Sequence, residues 1–398
     1  FSLSLKGNSR QVISLTDEDV KAVSKTLRNH LHVKALDLRY NRISDEGAVH
    51  LADLLQENVA LQELDLMGNN IGAEGAEQIA RSLHHNTSLK KLRMTGNKIQ
   101  NKGALHFASM LQINSTLEDL DVSDCDLDTQ SLITFAIALT NSSSLVSINI
   151  SRPLLFSLQE ETTCHMARML KVNHSLRELH MGKHNMTDSG VQRLCEALMS
   201  NHSLHYLDLR CNKITRDGAR HLAGLLRQND MLQILDLSFN RIENEGTVCL
   251  SEAIALKHTK LSTNKITRDG ARHLAGLLRQ NDTLQILDLS FNRIENEGTV
   301  CLSEAIALKH TKLSTLCIQS NNVSTLGLLS LSQAITANPH LTHVYIWGNR
   351  LEEPVCVAFS PLISSNRVSA QNTDVTPYTV DGHVYLAQVS NGLQLHYY

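Results

Sequence analysis

The sequence predicts an α/β solenoid, a horseshoe with a parallel concave sheet inside and convex helices outside, closed by a C-terminal β-hairpin cap. Three observations predict it. First, an apolar pattern ending in asparagine, or in Cys125, Pro153 or His184 in its place, recurs at positions 8, 41, 69, 97, 125, 153, 184, 212, 240, 264, 292, 321 and 349, most steps being 28 residues. Second, the stretch between these marks carries apolar residues at helical spacing, as in Ile214, Gly218, Ala219, Leu222, Leu225 and Leu226. Third, residues 212–263 return as residues 264–315 with one difference, Met231 against Thr283. A stack of units that touch only their neighbours accepts such a copy, whereas a closed core does not.

Each unit opens with Leu-x-x-Leu-x-Leu-x-x-Asn, seen at Leu61/Leu64/Leu66/Asn69, Leu89/Leu92/Met94/Asn97, Leu117/Leu120/Val122/Cys125, Leu204/Leu207/Leu209/Asn212 and Leu341/Val344/Ile346/Asn349. The Leu-x-Leu part is a short strand, so its leucines share one face and the residue between them takes the other. The asparagine has a donor and an acceptor with which to satisfy backbone groups where the chain turns. Asn or His near the end of the following helix suits a helix terminus. At this copy number the unit resembles the leucine-rich repeat, in its long ribonuclease-inhibitor subtype, from about residue 3 to residue 366. Residues 1–41 then form an N-terminal capping repeat, 42–366 the solenoid, and 367–398 the cap, where Asp381-Gly382 between β-rich runs marks a hairpin.

Two irregularities interrupt the period. The step from Asn240 to Asn264 is only 24 residues. Read back from Asn264, the strand has Thr259 and Leu261 in the leucine slots, and the helix before it loses about a turn. Pro153 replaces asparagine, the next step is 31 residues, and residues 153–161 read as a loop.

Composition excludes several functions. The 37 Lys and Arg nearly balance 40 Asp and Glu, for a net charge of -3, which argues against direct nucleic-acid binding through counterion release. No apolar run is long enough to span a membrane, and the start at Phe1 shows no signal peptide. Eight scattered cysteines without a CxxC suit free thiols in a reducing, intracellular setting. No catalytic, cofactor or metal constellation stands out. Gly68, Gly72 and Gly75 have the wrong spacing for a phosphate loop; His180 faces outward while His184 takes the buried asparagine slot; Cys164 and His165 are merely adjacent. The Asn-x-Ser/Thr triplets at Asn86, Asn114, Asn141, Asn173 and Asn201 arise because asparagine ends a helix and Ser or Thr precedes the next strand. The expectation is a protein that is not an enzyme and uses no cofactor, metal, membrane or small molecule.

The concave face is where proteins of the resembled family bind. The middle residue of Leu-x-Leu reads Asp37, Asp65, Arg93, Asp121, Asn149, His180, Asp208, Asp236, Lys260, Asp288, Cys317 and Tyr345. Six aspartates, one per strand at roughly 4.8 Å, form either a polar stripe for a basic protein segment or a solvated ladder bonding along the sheet. In the last unit His343, Tyr345 and Trp347 alternate onto one face, as binding anchors or as a platform for the hairpin. Residues 92–99 and 343–349 and the tail segments at 372–375, 380–387, 389–392 and 396–398 resemble one particular branch of the repeat family. That resemblance implies an intracellular, non-enzymatic scaffold of the nucleus, nucleolus and cytoplasm associated with differentiation and stem-cell state. Two alternatives stand beside it: a structural part of the motile-cilium axoneme, of radial-spoke type, and a regulator of a GTPase or nuclease. The tail lacks the acidic run of GTPase activators, and the chain is poorer in cysteine and less acidic than ribonuclease inhibitors.

Overall fold

The computed structural model describes residues 1–8, 14–155, 160–254, 260–262, 265–308 and 310–389. The chain divides into two compact units, residues 1–186 with 193–209 and residues 187–192 with 210–398. In the first, strands and helices alternate: β1 (Ser2–Ser4), α1 (Asp17–Leu27), β2 (Ala35–Asp37), α2 (Asp45–Glu57), β3 (Glu63–Asp65), α3 (Ala73–Leu83), β4 (Lys91–Arg93), α4 (Gln100–Leu111), β5 (Asp119–Asp121), α5 (Thr129–Asn141), β6 (Ser147–Asn149), α6 (Glu161–Leu170), β7 (Glu178–His180), α7 (Asp188–Leu198), which carries the boundary, and β8 (Tyr206–Asp208). The second continues with α8 (Arg216–Leu226), β9 (Ile234–Asp236), α9 (Glu243–Ile254), β10 (Lys260–Ser262), α10 (Arg268–Leu278), β11 (Ile286–Asp288), α11 (Glu295–Ile306), β12 (Thr315–Cys317), α12 (Thr325–Ala337), β13 (His343–Tyr345), α13 (Glu353–Ser364), β14 (Val375–Val380) and β15 (His383–Gln388).

Within each unit the strands pair in parallel and in chain order. Leu36, Leu64, Leu92, Leu120, Ile148, Leu179 and Leu207 stand opposite one another in the first, and Leu235, Leu261, Leu287, Leu316 and Val344 in the second. The helices close the core from the other side; α3 buries Ala76, Ile79, Ala80 and Leu83.

Two ladders of asparagine hold the rungs at either end. Asn69 donates from Nδ2 to the carbonyls of Leu66 (2.9 Å) and, one rung back, Leu38 (3.0 Å), while its Oδ1 accepts from the amide of Ile43 (3.1 Å). At the helix ends Asn86 donates to Leu55 O (2.7 Å) and accepts from the amides of Ser88 (3.0 Å) and Leu89 (2.7 Å). Asn114, Asn173 and Asn201 repeat that arrangement and, like Asn86, are buried. Asn141 does not belong with them: it is exposed at the end of α5, and Ser142 fills the buried slot.

The helices are also fastened end to end by a device the sequence reading missed. Asp17 Oδ1 accepts from the amides of Ser44 (2.8 Å) and Gly47 (3.0 Å), and its Oδ2 from the Ser44 hydroxyl (2.6 Å). Thus the first residue of α1 caps α2. Asp188 does the same for α8 through Thr215 and Gly218, and Asn296, second in α11, accepts from the amides of Ser324 and Gly327 while its Nδ2 donates to the Ser324 hydroxyl. The glycine is required, because a Cβ at Gly47 would collide with Asp17 Oδ1. Replacing Asp17 with alanine should cost about 1–2 kcal/mol, read as reduced hydrogen-exchange protection confined to the start of α2.

The duplicated segment corrects the reading of its joint. Lys260, Leu261 and Ser262 pair with Ile234, Leu235 and Asp236 on one side and with Ile286, Leu287 and Asp288 on the other. Leu261, not Thr259, is therefore in register with Leu235 and Leu287, and Ser262, not Lys260, with Asp236 and Asp288. The helix loses nothing: α9 has the same twelve residues as its copy α11. Instead the strand forms three residues earlier, since the identical tripeptide Lys312-Leu313-Ser314 precedes β12 rather than forming it. The cause lies in the residues beyond the tripeptide. After Ser314 come two inward apolar residues, Leu316 and Ile318; after Ser262 the next is Ile266, whose amide is already held by Asn292 Oδ1 at 2.7 Å. Residues 255–259, 263 and 264, including the predicted Thr259 and Asn264, lie outside the described residues.

A pair of rungs is also the electrostatic repeat. Arg216 meets Glu245 (2.6 Å) and Arg227 meets Glu252 (3.5 Å) from α8 to α9, and Arg268 meets Glu297 (3.4 Å) and Arg279 meets Glu304 (3.2 Å) from α10 to α11. Copying two rungs keeps basic and acidic helices alternating. Exposed pairs of this kind contribute little stability but avoid like-charged neighbours.

Pro153 lacks an amide donor and leaves its ladder slot empty of a side-chain bond; 153–155 are irregular, and 156–159 of the predicted loop lie outside the described residues. The predicted hairpin is β14–β15, turning through Asp381 (φ 50°) and Gly382 (φ 85°), two left-handed residues as a tight two-residue turn requires. Residues 390–398 of the predicted cap lie outside the described residues.

Candidate functional site

The face of the strands opposite the helices is the candidate surface, and the repeat decides what stands on it. Alternation puts three residues of each rung there: the strand's first and third residues and one two positions beyond. The first and last of these rows were overlooked in the sequence, except in the final rung. In the first unit the earliest row runs Ala35, Glu63, Lys91, Asp119, Ser147, Glu178 and Tyr206, with Glu63 and Lys91 3.7 Å apart; in the second it is Ile234, Lys260, Ile286, Thr315 and His343.

The aspartates of the middle row are mostly turn formers. Oδ1 of Asp65 accepts from the amide of Met67 (3.1 Å), Asp121 from Ser123 (2.9 Å), Asp236 from Ser238 (2.9 Å) and Asp288 from Ser290 (2.9 Å). This is the Asx turn that ends each strand, and the Asp-x-Ser spacing was its signal. The other oxygen often reaches sideways. Arg39 binds Asp37 (2.8 Å) and Asp65 (3.4 Å), Arg93 binds Asp65 (3.4 Å), and Asn149 donates to Asp121 (3.1 Å). Burial and Arg39 compete at Asp37, where the guanidinium wins and lowers its pKa; at Asp65 burial wins and raises it.

Asp208 and Asp236 are buried. His180 Nδ1 lies 3.4 Å from Asp208 Oδ2, and its ring lies against Tyr206 with centroids 4.7 Å apart and planes tilted by 35°. His184 occupies the asparagine slot as expected, Nε2 bonded to Ile150 O at 2.9 Å, and burial pushes its pKa down to about 4. The glycine amides that a phosphate loop would need are taken: Gly72 (2.6 Å) and Gly75 (3.0 Å) both donate to Asp45.

In the last rung the aromatic row is not the platform for the hairpin that one sequence reading expected. The hairpin packs on α13, not over the aromatic row. The segment before it closes the sheet edge instead. Thr373 pairs with Val344, and the buried Asp374 carboxylate accepts from the amides of Ile346 (2.9 Å) and Trp347 (3.0 Å) and from Gln319 Nε2 (2.6 Å). The Ile346 amide would otherwise bond a carbonyl of a further rung, as Leu38 bonds Asp65, and the Trp347 amide donates to Asp374 as that of Met67 donates to the Asp65 of its own rung. His343, Tyr345 and Trp347 stay half-buried on the face, while Cys317 beside them is buried.

A stack of strand–asparagine–helix rungs with an open sheet face and internally satisfied turns defines a leucine-rich repeat protein, and the chain belongs to that family. The leucine-rich repeat model matches residues 29–52, 57–80, 85–108, 114–136, 172–195, 200–223, 228–251 and 280–303. Among individual proteins the chain is similar to leucine-rich repeat-containing protein 34: 45% identical to that of Mus musculus over 251 residues, covering 63% of this chain and 48% of the mouse protein. To that of Homo sapiens it is 46% identical over 252 residues, 63% of this chain and 43% of the human protein. The chain thus spans about half the length of the curated relatives it matches. Among solved structures, the tropomodulin C-terminal domain of Caenorhabditis elegans aligns over 34% of this chain and 81% of its own, at 15% identity and a TM-score of 0.29.

Proposed function

We propose that the chain is a non-catalytic scaffold that binds partner proteins on the open sheet face, with the last rung as its anchor. The observation that carries this reading is the closure by Asp374. With the two amides just past β13 occupied and Thr373 paired beside Val344, what the rung offers a partner is the side chains of His343, Tyr345 and Trp347 rather than an unpaired strand. Aromatic side chains in such a setting dominate protein interfaces. The middle-row residues Asp37, Asp65, Arg93, Asp121, His180, Asp208, Asp236 and Asp288 then divide into roles. Half-buried Asp37, Asp65, Arg93, Asp121, His180 and Asp288 can reach a partner; buried Asp208 and Asp236 shape the surface from beneath. The reading keeps the nuclear and differentiation setting that the resemblance implies. Native co-purification from nuclear extract and from salt-washed axonemes tests it. A nuclear partner retained by the wild type and lost with Trp347→Ala is the expected result. Retention only with axonemal spoke proteins would replace it with a ciliary building block.

A further inference from the structure

The duplication does more than lengthen the stack. Phe239 and Phe291 hold the same place in the two copies, just past β9 and β11, with φ of 60° and 59°. The repeat demands a left-handed residue there, and Gly68, Gly96 and Gly348 supply it elsewhere. Here two bulky rings take it. Although β10 lies between their strands, the rings meet with centroids 5.5 Å apart and planes at 38°. They remain 39% and 45% exposed. A single copy would hold only one of them.

Cations flank this pair. Two residues beyond each phenylalanine stand Arg241 and Arg293, and one rung before Arg241 stands Lys213 at the equivalent place. Their row is fixed by backbone pairing, the amide of Arg241 donating to Ile214 O (2.7 Å) and that of Arg293 to Ile266 O (2.9 Å). All three side chains are exposed and form no ion pair among the described residues. Of the acids on this edge, Glu245 is engaged by Arg216 (2.6 Å) and Glu297 by Arg272 (2.8 Å), while Glu243 and Glu295 open α9 and α11 beside the row.

We propose that this edge of the second unit binds an acidic segment of a partner protein in extended form. An apolar or aromatic side chain of the segment sits on the Phe239–Phe291 pair, and carboxylates to either side meet Lys213, Arg241 and Arg293. The proposal rests on the scaffold reading for the partner's being a protein, and adds its chemistry. Arg241 and Arg293 are two rungs apart, about 10 Å, which matches roughly three residues of extended chain. Three cations with Glu243 and Glu295 among them suit spaced carboxylates. A continuous phosphodiester backbone would press its charge against those acids and release few counterions.

The test is fluorescence anisotropy of the full chain with a labelled synthetic peptide carrying one tryptophan between glutamates spaced by three. Saturable binding that weakens with salt is expected, with Phe239→Ala and Phe291→Ala each reducing affinity by about tenfold or more and the double variant Arg241→Glu/Arg293→Glu abolishing it. Lys98→Glu, a charge reversal at the equivalent place in the first unit, should leave affinity within about twofold. These are surface changes, and an unchanged melting temperature confirms that each variant folds. Absence of binding, indifference to Phe291→Ala, or tighter binding of a uridine decamer than of the peptide would overturn the edge site. If the peptide fails while a native partner is still lost with Trp347→Ala, the edge is rejected and the scaffold reading stands.

Discussion

Replacing Asn97 with alanine should lower stability by about 2 kcal/mol. The residue is fully buried. Its Nδ2 donates to Leu66 O and Met94 O, both at 2.8 Å, and its Oδ1 accepts from the amide of Ile71 at 3.0 Å. Alanine leaves the Ile71 amide without a partner inside the stack, and takes one donor each from Leu66 O and Met94 O, which keep Asn69 Nδ2 and Cys125 Sγ; a buried orphan amide costs on the order of 1–3 kcal/mol. Cys125 shows what the slot tolerates, its Sγ donating to Met94 O at 3.2 Å. Asn97→Cys should therefore lose less than Asn97→Ala. In a repeat stack the damage is local. Chemical denaturation gives the magnitude, and hydrogen exchange should place it at the turns following β3 and β4. A loss below about 1 kcal/mol would mean that water or side-chain rearrangement satisfies the ladder.

Acid should unfold the first unit in part through His184. Burial holds its folded-state pKa at about 4, against 6.5 for the unfolded chain. The sign follows from proton counting: the unfolded state takes up a proton first, so the stability that the neutral ring contributes is complete above pH 6.5 and is lost as pH falls toward 4. At about one pKa unit per 1.4 kcal/mol, the loss by pH 4 is about 3 kcal/mol. Asparagine is the residue of this slot in other rungs and does not titrate. His184→Asn should keep a donor to Ile150 O and lose about 3 kcal/mol less than the wild type between pH 7 and pH 4, read from urea denaturation at each pH. Carboxylates titrate identically in both proteins, so only the difference between the two curves counts. Parallel curves would show that the folded protein accepts the proton at this site.

Much of this was legible because a rung is a local object. The inward leucines follow from strand alternation, the asparagine slots from their spacing, and the β14–β15 turn from Asp381-Gly382, since only residues at ease with positive φ fit there. The aspartate row was legible as a row, but its purpose was not. A carboxylate bonded to an amide two residues on and a carboxylate offered to a partner carry the same letter, and the neighbouring serine had to be read with it.

The sequence by itself determined the fold class, the rung count and the slot that every buried side chain of a regular rung would fill, because those depend on contacts within one period. Only the tertiary structure decided the rest. Lys260-Leu261-Ser262 is a strand and the identical Lys312-Leu313-Ser314 is not, because the rung on either side and the next apolar residue set the register. Asp374 closes an edge that lies 28 residues away in the chain. Phe239 and Phe291 touch across 52 residues. In each case the deciding partner sits about a full repeat or more away, where local spacing carries no information and only the stacking of neighbours brings the groups together.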